Sequence, residues 1–427
     1  MKIHNYCVLL NQIKGSKTCK VEAIIGDGFI NETRATSGMS HLVEHILLDS
    51  WKKCYKNGCS DFWKDYGVMM NAETTNNAVR FYMEGLAEYT PKMIAYIISI
   101  TTDPKITPKR IEKEKLAVIN ELLNYDEEAT RLMDCLNKMT YTNEGLYVSE
   151  DRDLQLKNLK HFNLASIKEW VQMNYCKNNT IFIISGDFNK SKTIKQITST
   201  LKKSALQRIC NTRNYSIFKR GVDLEFVREK EKDNTTIVLS FPQHIDSPNK
   251  ALFYIDFFLL FIDNGVESLL MLELREKKSL IYNTAVDSII YSRASVLSIE
   301  ISTRNSQVLK VIRETIKILK KIVRGDFTQA TMNDIKRKFM VEYYQKCLNN
   351  DFYTDFYGTQ LLNQLEVLDK NSKIYTYEEV ANLITNLTKS QFVAFVKHIL
   401  DFSNMKLAYQ GKREISLTKK GLERILL

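Results

Sequence analysis

The sequence predicts an α+β protein of two tandem homologous domains, each an antiparallel-rich mixed sheet covered by helices. Three observations carry that expectation. The chain has 427 residues, more than one compact core ordinarily organises. Strand patterns and helix patterns follow one another in both halves. The second half also repeats the theme of the first, which points to a duplication.

Taken in order, the first half opens with a strand pattern over Cys19–Gly26 and a loop from Gly28 to Ser37. A helix is predicted from Gly38 to Asp49, and a hairpin over Met69–Gly85 around the β-favouring run Val79-Arg-Phe-Tyr-Met. Tyr89–Thr101 carries Met93, Ile94, Ile97 and Ile98 at helical spacing. Thr107-Pro108 starts another helix, with Thr as the N-cap and Pro at the first helical position, running to Asn124. Ile181-Phe-Ile-Ile followed by Ser-Gly-Asp-Phe reads as a buried strand ending in a turn.

The polar, basic stretch from Leu206 has no strong period and divides the chain. The expected boundaries are residues 1–205, a linker over 206–222, and a second domain over 223–427. There, Thr236–Phe241, Val296–Thr303 and Lys406–Gln410 read as strands. Ala251–Ile262, Gly265–Glu276, Gln307–Val323 and Gln329–Cys347 read as helices.

Composition narrows the function classes. With 44% hydrophobic and 10% aromatic residues, each half can bury a sizeable core, and disorder is not indicated. The start Met-Lys-Ile-His-Asn-Tyr-Cys shows neither a signal-peptide nor a transit-peptide pattern. The longest apolar run, near 251–262, contains Asp256 and is about half a membrane span. An intracellular protein without a membrane segment is therefore expected. Eight cysteines lack framework spacing, and Cys54 and Cys59 are too far apart for a zinc ribbon, so reduced thiols are expected. The net charge is +11. Its densest runs, Lys317–Arg324 and Lys336-Arg337-Lys338, read as polar helix faces, and without a binding motif nucleic-acid binding is not expected.

Chemistry concentrates in Gly38-Met-Ser-His41-Leu-Val-Glu44-His45. On a helix, His41 and His45 are one turn apart on one face, so both imidazoles can reach one zinc ion. Glu44 lies beside that ion, placed to take a proton from water activated by it. The order His-x-x-Glu-His is the inverted zincin arrangement. With six histidines in the chain, a chance match is on the order of one in two hundred. That favours a metal site over two surface histidines. A catalytic zinc wants a third protein ligand. Glu114 and Glu121, two turns apart on the helix ending at Asn124, are candidates for ligand and for orienting acid. Taken alone, they read more readily as acids on a solvated helix face. His161, His244 and His398 lack ligand spacing, and Ser37, Ser40 and Ser185 lack a nucleophile-elbow context.

These residues resemble those of the pitrilysin/insulinase family, most of all its mitochondrial-processing-peptidase-like branch. The resemblance runs from Lys20 to about Gln410. It implies Glu121, 76 residues after His45, as third ligand of one zinc ion per chain, with Glu114 at the earlier acidic position. Asn71-Ala72-Glu73-Thr74-Thr75 followed by Phe81-Tyr82 is similar to the family's substrate-pairing strand. Glu73 stands where the family has an aromatic, and Asn77-Ala78-Val79 replaces its acid-polar-Thr run. Arg275 and Tyr282 resemble the family's Arg-x6-Tyr pair, implying donors to a developing oxyanion. The resemblance further implies cleavage of unfolded peptides or precursor segments, in a homodimer or a heterodimer with a homologous subunit. The same family also contains non-catalytic structural subunits.

Overall fold

The computed structural model describes residues 1–49, 66–125, 127–204, 218–230, 233–263, 265, 268–291, 293–347, 349–367 and 373–427. Most of the expected linker 206–222 lies outside the described residues, as do Cys54 and Cys59. The chain forms two compact units: Met1–Tyr125 with Glu144–Asn214 and Lys346–Asn371, and Asp126–Asn143 with Tyr215–Gln345 and Ser372–Leu427. The helices that position the site or close a sheet are α1 (Met39–Asp49), α2 (Thr90–Thr102), α3 (Pro108–Asn124), α4 (Glu127–Thr140) and α5 (Asn350–Val367).

The first unit is built on a six-stranded sheet. Its strands β1 (Lys2–Ile3), β2 (Tyr6–Gln12), β3 (Thr18–Ile25), β4 (Met69–Thr74), β5 (Val79–Leu86) and β6 (Thr180–Gly186) lie in the order β1-β2-β6-β3-β5-β4. Only β2 and β6 pair in parallel. Both faces are covered, which is why β6 reads as an unbroken apolar run rather than an alternation. One face, with Val21, Ala23, Ile25, Phe81 and Phe182, shares a core with Leu42 and Ile46 of α1 and Ile94 and Ile97 of α2. On the other face Ile24 and Ile183 pack with Leu362 of α5. A Cβ at Gly358 would lie 2.5 Å from Ile24 Cδ1, so any side chain there would force the end of Ile24 to shift. Around that contact Lys20 pairs with Asp351 at 2.6 Å, and Arg80 bonds both Glu22 and Asp355.

The second unit repeats this order without a counterpart to β1. Strands β7 (Asp223–Arg228), β8 (Asn234–His244), β9 (Ile281–Tyr291), β10 (Ala294–Arg304) and β11 (Lys406–Gly411) lie in the order β7-β11-β8-β10-β9. The β7–β11 pair is again the parallel one. Leu132, Leu136 and Met139 of α4 pack on this sheet against Val238 and Ala408. Each unit therefore includes a helix whose sequence neighbours belong to the other unit.

Several expectations need correction. Within the expected helix Gly265–Glu276, residues 269–276 are helical, the stretch Met271–Glu276 being wound as a π helix with Lys277 N–H bonding the Leu272 carbonyl five residues back at 3.0 Å. Strand β2, an apolar run Tyr6–Leu10, and strand β7, whose residues mix polar and apolar, were not among the expected strands. Among the cysteines, Cys7, Cys19, Cys135 and Cys347 are free thiols, whereas Cys176 is disulfide-bonded, counter to the expectation. Among the described residues no helix is long and apolar enough to cross a membrane.

Candidate metal centre

Helix α1 is amphipathic in the sense its sequence requires. Leu42, Val43, Ile46 and Leu47 are fully buried, which leaves His41 and His45, one turn apart, to share the opposite face. Helix α3 is anchored by Ile111, Val118 and Leu122. Its Glu114 falls on the same buried side, with Glu121 two turns on and partly exposed. The two helices bring a triangle of ligand atoms together. His41 Nε2 and His45 Nε2 stand 3.2 Å apart. Glu121 Oε2 lies 3.4 Å from the first and 3.3 Å from the second.

That triangle tests directly whether zinc fits. Ligand atoms at about 2.0–2.1 Å from a tetrahedral ion stand about 3.3–3.4 Å from one another, and all three edges agree within about 0.1–0.2 Å of that span. The donor set, two imidazoles and one carboxylate, is also a catalytic zinc set that leaves a fourth position open. Among the described residues, His41, His45 and Glu121 are the one His/Cys/Asp/Glu group so arranged.

The surrounding acids have distinct positions. Glu114 Oε2 faces the other ring nitrogen of His45, Nδ1, at 3.6 Å, while Glu114 Oε1 accepts from Lys113 Nζ at 2.8 Å. A carboxylate on Nδ1 favours the tautomer whose Nε2 lone pair points into the triangle. Glu44 is 6% exposed, and its Oε2 accepts from Thr74 Oγ1 at 2.6 Å. Burial raises the Glu44 carboxyl above the usual range, with Thr74 pulling it back. Burial and the charge of His45 together push His41 down to about 4. Burial also lowers His45, but Glu114, Glu121 and Glu44 outweigh it and leave that ring above its ordinary value.

The expected substrate strand Asn71–Thr74 is part of β4, at the outer edge of its sheet. Thr74 therefore joins the edge strand to Glu44. Glu73 lies in register opposite Arg80, with its carboxylate 3.8 Å from Arg80 Nε. Arg275 and Tyr282 lie in the second unit, on the turn before β9 and at its start. Both side chains are substantially exposed, and Arg304 Nε donates to Tyr282 Oη at 3.1 Å. Sequence reasoning missed the Thr74–Glu44 bond, because no spacing rule links a strand residue to a helix residue thirty positions earlier.

A duplicated α+β fold whose first unit carries an inverted His-x-x-Glu-His helix defines the inverted-zincin class. Residues 7–149, which include every residue of the triangle, match the family described as Insulinase (Peptidase family M16). Residues 161–339 match the Peptidase M16 inactive domain. The chain belongs to the M16, or insulinase, family of peptidases. A "Non-peptidase homolog YmxG" of Helicobacter pylori is 20% identical over 365 residues, covering 81% of this chain and 83% of its own. The Saccharomyces cerevisiae "Mitochondrial-processing peptidase subunit beta" is 22% identical over 186 residues, 43% of this chain and 39% of its own. The solved structure of "a protease from Helicobacter pylori" shares the fold with a TM-score of 0.83 at 16% identity, covering 96% of this chain and 98% of that one.

Proposed function

We propose that this chain is a zinc-dependent endopeptidase acting on extended, unfolded peptides or precursor segments. The observation that carries the reading is the His41–His45–Glu121 triangle, whose edges of 3.2, 3.4 and 3.3 Å match a tetrahedral zinc ion. In this reading those three residues hold one ion per chain, and Glu114 fixes the His45 tautomer. A bound zinc supplies Lewis acidity toward a peptide carbonyl and toward water. The chain's own groups do the rest. Strand β4 takes the substrate as an added strand along Asn71–Thr74, through backbone hydrogen bonds. Glu44, oriented by Thr74, accepts the proton of the attacking water and delivers it to the leaving amine. In the paired chains proposed below, Arg275 and Tyr282 of one chain supply a charged and a neutral donor to the negative charge developing on the carbonyl oxygen at the other chain's site.

The experiment is a zinc determination and peptide-library hydrolysis of wild type beside Glu44→Gln and His45→Ala. Wild type should carry about one zinc and cleave. Glu44→Gln should keep zinc and lose turnover, because the amide cannot accept the proton, and His45→Ala should lose both. A wild-type level of zinc in His45→Ala, or turnover in Glu44→Gln, defeats the assignment. The name of the Helicobacter pylori relative, a non-peptidase homolog, favours a second reading: a structural subunit of this fold. Zinc-loaded wild type that cleaves no peptide selects it.

Pairing of two chains is part of the proposal. One chain carries both a metal triangle and an Arg/Tyr pair, so a two-fold dimer can supply two equivalent composite sites. Mixing Glu44→Gln with Tyr282→Phe should then restore activity that neither homodimer has. No recovery after verified subunit exchange rejects the homodimer, leaving a homologous second subunit as the partner to seek.

A further inference from the structure

The loop that joins β3 to α1 contains a buried acid that the reaction does not use. Glu32 is 3% exposed. Its carboxylate accepts Gly38 N–H at 3.0 Å through Oε2 and Ser40 N–H at 2.8 Å through Oε1. A helix N-terminus leaves its first amides without partners inside the helix. Ordinarily an adjacent Ser, Thr, Asp or Asn satisfies one of them. Here a carboxyl group from upstream in the loop satisfies two, one through each oxygen; burial pushes that carboxyl up to about 8, so hydrogen bonding carries the cap.

The loop holding Glu32 is itself fixed. Asp27 accepts from Trp170 Nε1 at 2.9 Å and from Asn31 Nδ2 at 3.2 Å. Gly145 presses against it so closely that a Cβ there would stand 1.9 Å from the Phe29 carbonyl oxygen and 2.7 Å from that of Glu32. Gly38, at φ +90°, then turns the chain into α1. The helix begins at Met39, so His41 lies in its first turn, directly after Ser40. His45 is one turn deeper and Glu121 belongs to α3. Fraying of the first turn would displace one vertex of the triangle and leave the other two standing.

We infer that Glu32 is the positioning residue for His41: by clamping the Gly38 and Ser40 amides it holds the first turn of α1 wound, and with it the His41 vertex of the metal triangle. The inference rests on the reading of His41 as a zinc ligand. It predicts a metal-site defect beyond any general loss of stability.

The test measures zinc affinity by chelator competition, the visible spectrum of the cobalt-substituted protein and the melting temperature of the metal-free protein. The variants are Glu32→Ala, Glu32→Gln, His41→Ala and, as a control, Ile197→Val, in a buried position remote from the loop in sequence. Losing the cap should weaken zinc binding in Glu32→Ala by about tenfold and shift the cobalt spectrum in the direction His41→Ala shifts it. Glu32→Gln keeps one acceptor and should fall between Glu32→Ala and wild type. Ile197→Val should melt lower with affinity and spectrum unchanged. Wild-type affinity and spectrum in Glu32→Ala overturn the inference. Where Glu32→Ala does not fold, a wild-type affinity and spectrum in Glu32→Gln overturn it. Unchanged zinc affinity in His41→Ala overturns the metal reading itself, and this inference with it.

Discussion

The two histidines of the triangle sit 3.2 Å apart yet answer differently to protons. His41, pushed down to about 4 by burial and by His45, keeps its lone pair throughout the neutral range. His45 is lowered by burial but raised more by Glu114, Glu121 and Glu44, so it binds its proton at a higher pH than a free imidazole does. A proton on His45 competes with metal. Zinc affinity should therefore fall as pH drops through the raised value of His45, with one proton displaced per ion bound. His41 adds no second drop until about pH 4. Chelator competition between about pH 5 and 8 checks this. Glu114→Gln, lacking one source of the rise, should move the drop to lower pH. Thr74→Val removes the donor at 2.6 Å from the Glu44 carboxylate while preserving shape. Peptide turnover should fall about tenfold, roughly the value of one hydrogen bond to a charged group, with zinc content unchanged by metal analysis.

At the scale of elements, what matters is how closely each helix reaches its sheet. Helix α5 bears Gly358 where a Cβ would sit 2.5 Å from the buried Ile24 Cδ1 and 3.3 Å from Ile183 Cδ1. Gly358→Leu should lower unfolding stability by about 1–3 kcal/mol, the range for overpacking a filled core, as read from denaturant midpoints. The start of α3 shows the opposite case, a feature governed locally. Thr107 accepts from the Arg110 amide at 3.4 Å with Pro108 at the first helical position, as the Thr-Pro pair predicted. Such a cap needs only neighbouring residues. The approach of α5 depends on strands more than 170 positions away in sequence.

For the molecule as a whole, the reciprocal placement of α4 and α5 sets what can fold alone. A fragment of residues 1–205 contains the whole six-stranded sheet but lacks α5. Its Ile24 and Ile183 would lose Leu362, Lys20 would lose Asp351, and Arg80 would lose Asp355 while keeping Glu22. Stripping α5 would bare the apolar surface of Ile24 and Ile183 to water, and that lost burial lowers the fragment's stability. The fragment should show no cooperative unfolding by circular dichroism, and adding a peptide of residues 346–371 should restore it. A fragment that melts cooperatively alone would show α5 to be dispensable to the first unit.

Periodicity in the sequence was enough to determine that His41, Glu44 and His45 cluster on one helix, because a spacing of three and four residues translates directly into a shared face. The tandem α+β duplication was legible for a similar reason. Apolar runs such as Ile181–Ile184 and the heptad-like rows of α2 report burial wherever it occurs. Glu121 was one of two acids on a helix until a resemblance singled it out, since nothing local distinguishes a ligand from a solvated carboxylate. Only the tertiary structure decided that its oxygen completes the triangle at 3.3 and 3.4 Å, that Thr74 faces Glu44 and that Glu32 caps α1. It alone decided, too, which helix covers which sheet. These contacts join positions far apart in the chain, and their energies come from burial and close approach, quantities that no local spacing encodes.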